Sequence, residues 1–80
     1  MNNVKKYPKD VLSKEITQKD KKVRIDVYGN GEGGWLLEIV DESWNSTCWD
    51  DPFKTAQEAM DEGIMAIEKE GIESFISKHE

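Results

Sequence analysis

Apolar and polar residues alternate with period two over residues 22–28, with Val23, Ile25 and Val27 on one side and Arg24 and Asp26 on the other. β-Branched side chains in that rhythm predict a strand with one buried face. Residues 35–40 predict a second strand. Trp35, Leu37 and Ile39 share one face, while Leu36 and Val40 add apolar bulk to the other beside Glu38. Asp, Ser and Asn in residues 41–46 favour a turn, and residues 46–50 form a short third strand. Pro52 has no N–H to donate, so sheet pairing is expected to end there.

From Thr55 the period changes to that of a helix. Thr55-Ala56-Gln57-Glu58 spells a capping box, in which the Thr55 hydroxyl accepts from the amide of the fourth residue and Glu58 reaches back. Ala56, Ala59, Met60, Gly63, Ile64 and Ile67 then recur on one face, which predicts a helix to about Glu70. Gly71 is placed to be the left-handed residue beyond its end, with Ile67 and Ile72 as the apolar pair of a Schellman ending. Residues 73–78 predict a last short turn that returns Phe75 and Ile76 to the core. Near the start, Pro8 is placed to open a short helix over residues 8–18 with Val11, Leu12 and Ile16 as its stripe.

The predicted fold is therefore α+β, in the order α-β-β-β-α. It consists of a three-stranded antiparallel β-meander with the C-terminal helix packed on one face. Residues 1–80 form a single domain, within which residues 1–21 are a lysine-rich arm or helix. So short a chain buries only about 60–65% of its unfolded surface, which leaves little stability in reserve.

Charge is distributed unevenly. Residues 1–22 hold seven lysines against three acids, whereas residues 23–80 hold four basic groups against fourteen acids. Phosphate backbones are bound mainly through Lys and Arg, so the acidic body disfavours nucleic acid and only the N-terminal segment could serve. No apolar run approaches the ~20 residues that span a bilayer. With Cys48 as the one cysteine, no internal disulfide can form. A reducing, cytoplasmic location is expected. The sequon Asn45-Ser46-Thr47 has no meaning there.

Candidate chemistry is sparse. Gly29, Gly31 and Gly34 match the spacing G-x-G-x-x-G. That fingerprint needs a helix after it to receive a pyrophosphate, and a strand follows instead. The glycines and Asn30 are what a wide hairpin loop requires. Cys48 lacks a nearby base, since the one histidine is His79. Asp41, Glu42, Asp50 and Asp51 flank the second hairpin without the spacing of an EF-hand. We expect no catalytic residue, no metal and no cofactor.

Three tryptophans fall within residues 35–49. Trp35 belongs with the core. Trp44 lies in a turn, where it either anchors an interface or folds back over the sheet. Leu36 and Val40 leave apolar area on the face away from the C-terminal helix, and soluble monomers seldom expose such a patch. These residues suggest a non-enzymatic module that binds an unknown protein partner or itself, with Leu36, Val40 and Trp44 as its candidate surface. The alternative is nucleic-acid binding through the lysine-rich segment.

The stretches G-G-W-L-L-E-I-V-D-E, N-S-T-C-W-D-D-P-F and E-G-I-E-S-F-I resemble a family of small bacterial proteins with no assigned function, which implies no activity. Thr55-Ala56-Gln57-Glu58-Ala59 is also similar, more distantly, to the helix start of HicB-type antitoxins, and implies their β-β-β-α unit. Their Pro-rich strand ending and DNA-binding region have no counterpart in these residues. The order α-β-β-β-α further resembles a double-stranded-RNA-binding domain. Lys54 alone stands where those domains present several lysines, so the resemblance implies their order of elements and not their activity.

Overall fold

A computed structural model describes residues 12–76. It shows an antiparallel sheet and a C-terminal helix, as expected, but the sheet has four strands. These are β1 (Leu12–Gln18), β2 (Lys21–Gly29), β3 (Trp35–Asp41) and β4 (Ser46–Cys48), in the spatial order β1-β2-β3-β4. The helix α1 (Ala56–Glu70) follows, and then a 3-10 turn (Ile72–Phe75).

The expected N-terminal helix is corrected. Residues 12–18 form β1, and residues 8–11 lie outside the described residues. Leu12, Lys14 and Ile16 stand opposite Val27, Ile25 and Val23. The spacing that suggests a helical stripe is thus one side of an edge strand, interrupted by Lys14. Resemblance to a double-stranded-RNA-binding domain loses its basis with that helix.

The connection from β1 to β2 is a two-residue turn, Lys19-Asp20, with both φ angles positive at 50° and 69°. Such a turn matches the twist of a hairpin but favours Asn and Gly, because a Cβ strains the left-handed region. Lys19→Asn with Asp20→Gly is expected to stabilise the domain by about 1 kcal/mol, read as a raised midpoint in urea unfolding with unchanged slope.

The core lies between one sheet face and α1. Val23, Ile25, Val27, Leu37 and Ile39 project from the sheet against Ala59, Met60, Gly63 and Ile67 of the helix. Gly63 lets the two approach closely, since a Cβ there would sit 3.0 Å from Ile25 Cγ2 and 3.2 Å from Leu37 Cδ1. Trp35, Ile64, Phe75 and Ile76 pack at the margins.

At the start of α1 the Glu58 amide donates to Thr55 Oγ1 at 3.0 Å. At its end the Gly71 amide donates to Ile67 O at 2.8 Å, and Gly71 has φ 89° and ψ 145°. The φ is positive as expected, but that ψ is extended rather than left-handed helical, so the ending is not a Schellman motif. Ile67 and Ile72 are nevertheless both buried in the core.

Pro52 does not end the pairing. One residue later Phe53 and Trp35 exchange backbone hydrogen bonds of 2.8 and 2.9 Å. The proline occupies the skipped position and leans on Gly34, where a Cβ would come within 2.8 Å of Pro52 Cβ.

Candidate functional site

The side of the sheet away from α1 is open, and its composition follows from the register. Ser13, Asp26, Glu38 and Cys48 form one row across the four strands, and Glu15, Arg24, Val40 and Ser46 form the next. Lys22 and Thr17 lie beyond at one end, Tyr28 and Leu36 at the other. β1 thus widens this face with polar residues instead of covering it.

Arg24 and Asp26 organise its centre. Arg24 Nε donates to Asp26 Oδ1 at 2.9 Å and Nη2 donates to Oδ2 at 2.9 Å, while the Ser13 hydroxyl donates to Oδ1 at 2.8 Å. Hydrogen bonding to Asp26 raises the Arg24 pKa further above its already high value, so the guanidinium is a fixed charge. Paired forks of this kind hold both side chains in one geometry. Tyr28 lies beside Glu38, with a long O–H to Oε1 contact of 3.4 Å. Burial first, and then the neighbouring carboxylate, push its phenol above the ordinary value. It therefore remains a neutral donor at physiological pH.

Trp44 stands at the edge of this face. Its side of the sheet is set by the β3–β4 turn, which one buried carboxylate holds together. Asp41 is 5% exposed, and its Oδ1 accepts from the amides of Ser43 and Asn45, both at 2.9 Å. The Trp44 amide donates to Asp41 O at 3.1 Å, and Trp44 takes φ 69°, uncommon for so large a residue. The indole is 76% exposed, with the Arg24 guanidinium carbon 5.8 Å from a ring centroid. That separation is within cation–π range. Beside it a groove of about 300 Å³ is lined by Glu15, Lys22, Arg24, Val40, Glu42 and Trp44.

Of the three surface residues expected from the sequence, Trp44 is displayed, Leu36 is half-buried and Val40 is buried. The apolar area that Leu36 and Val40 leave open on this face is accordingly small. The sequence pattern alone does not single out Arg24, Asp26 and Ser13. Their signal was present in the polar half of the period-two alternation, but only the β1–β2 register reveals that they converge.

The glycine loop forms a hairpin connection. Asn30 Oδ1 accepts from the amides of Glu32 and Gly34, and Gly31 and Gly33 supply the positive φ angles. Cys48 is exposed on β4. Among the described residues, no three His, Cys, Asp or Glu side chains converge as a metal site, and no helix is long and apolar enough to cross a membrane.

No family model, no curated protein and no solved structure matches the chain.

Proposed function

We propose that this chain is a non-enzymatic, intracellular interaction module that binds a protein partner or a second copy of itself through the open sheet face, with Trp44 as its anchor. The observation that carries this reading is the display of Trp44. A hydrogen-bonded turn fixes its backbone, Arg24 flanks its ring, and three-quarters of its surface still faces solvent. Trp, Arg and Tyr dominate the energetics of protein interfaces. A rigidly held aromatic also loses little conformational entropy on docking. Val40 and the methylene stem of Arg24 border the same groove, while Leu36 and Tyr28 add apolar area at the other end of the same face.

The test is recovery of partners from nuclease-treated lysate on the tagged protein, compared with Trp44→Ala. Trp44 touches little of the fold, so the variant is expected to unfold like the parent and to lose the recovered protein or the self-association. Val40→Lys would be a poor probe, because it buries an ammonium. An unchanged set of partners and an unchanged oligomeric state with Trp44→Ala would end the proposal. Material lost on nuclease treatment from the parent would favour nucleic-acid binding through the lysine-rich segment instead.

A further inference from the structure

The opposite side of the molecule carries a second feature, independent of Trp44. β4 is an edge strand, and α1 and the 3-10 turn run beside it and leave a groove of about 490 Å³. Trp49 and Phe75 form an apolar floor, their rings near-parallel at 19° with centroids 6.3 Å apart. Met65, 54% exposed, and Ala66 form the helix wall. Among the described residues, Asp50, Glu62 and Glu70 stand around the groove against one cation, Lys69.

The strand bordering this groove has hydrogen-bonding capacity left over. The amides of Asp41 and Trp49 donate to Asn45 O and Leu37 O, and Thr47 stands opposite Ile39. In antiparallel alternation the intervening Ser46 and Cys48 direct their N–H and C=O groups away from β3. Among the described residues no strand pairs with that edge.

The other edge of the sheet differs. β1 places Lys14 on the helix-facing side, opposite Ile25. A charge pointing inward at an edge discourages a further strand. β4 has no such guard and has an apolar trough beside it.

We propose that the β4–α1 groove receives an extended, lysine- or arginine-bearing segment of a partner protein, which adds beside β4 as a fifth strand. Main-chain bonds to Ser46 and Cys48 would hold it. Alternate side chains of a strand share a face, so an apolar residue reaches Trp49 and Phe75 while basic residues two positions away reach Asp50, Glu62 and Glu70. Strand addition of this kind draws affinity from the backbone and specificity from alternate side chains. Charge complementarity excludes acidic segments from the same groove.

The experiment is an amide-resolved NMR titration of the full chain with the synthetic peptide acetyl-Ser-Lys-Thr-Val-Thr-Lys-Ser-amide. Its counterpart with Glu in place of both Lys is titrated alongside. The lysine peptide is expected to shift the amides of residues 46–50 and 62–75 and to leave Trp44 unmoved. Glu62→Lys with Glu70→Lys, both on the helix surface, should weaken it about tenfold and strengthen the glutamate peptide. N-Methylation of alternate peptide residues should abolish binding for one set and spare it for the other.

No shift at millimolar peptide overturns the proposal, as does equal binding of both peptides or equal loss with either methylated set. Dilution of the chain alone that moves the same amides would assign the groove to a second copy and overturn it too. None of these results bears on Trp44→Ala, so the two surfaces are tested separately.

Discussion

Ile25→Ala is expected to cost about 2–5 kcal/mol, the range for removing a large aliphatic side chain from a core that relaxes incompletely. Ile25 is 0% exposed and lies under the helix at Gly63, where a Cβ would meet its Cγ2 at 3.0 Å. Loss of Cγ2 and Cδ1 therefore removes the atoms against which the helix backbone rests. The neighbours are β-sheet side chains fixed by register with Lys14 and Ile39, so the cavity cannot collapse easily. Chains of this size hold only about 3–5 kcal/mol in total. The variant should consequently populate the unfolded state in water, with far-UV circular dichroism and urea unfolding as the readout. Leu12→Ala, at a position 41% exposed on the edge strand, serves as the contrast and should cost well under half as much. Equal losses at the two positions would mean that the core is not centred on the crossing of α1 over β2 and β3.

Much of that core was legible in the chain. Val23, Ile25, Val27, Leu37 and Ile39 follow from period-two patterning, and Ala59, Met60, Gly63 and Ile67 from the 3.6-residue period. Thr55 marked the helix start because its hydroxyl has one efficient use there, and the Glu58 amide takes it. β1 was not legible. Its turn carries Lys and Asp where Asn and Gly would signal a hairpin, and Lys14 breaks its apolar side. Edge strands bury one face incompletely, so weak patterning is what the physics requires of them. The return of pairing at Phe53 was hidden by Pro52, whose missing donor affects only its own position.

The candidate surface was legible in part, for the same kind of reason. Trp44 could be singled out by type and turn context, but whether it folds back depends on the Asp41 hydrogen bonds and on Arg24, a strand away. Val40 alternates correctly for the open face, yet its burial depends on neighbours that only tertiary structure supplies. The β4–α1 groove was invisible, since Met65 and Ala66 become its wall only through the docking of the helix beside that edge.

Asp41→Ala is the second large effect expected, and it connects stability to display. The side chain is nearly buried and its Oδ1 serves two amides of the turn, those of Ser43 and Asn45. Truncation removes the acceptor of two part-buried hydrogen bonds in a turn already strained at Trp44, and each such bond contributes about 0.5–1.5 kcal/mol. A loss of about 1–3 kcal/mol is therefore expected in urea unfolding. Asp41→Asn retains an oxygen in the same place and should lose less than half of that. The loss should also be visible at Trp44 before global unfolding. Once the turn loosens, the indole is no longer held beside Arg24, and the Trp44 amide should exchange with solvent faster than its β3 neighbours. If Asp41→Ala were as stable as the parent, the turn would be held by its backbone bonds alone. The case for Trp44 as a rigid anchor would then fail with it, because a freely moving indole must be ordered at each docking event.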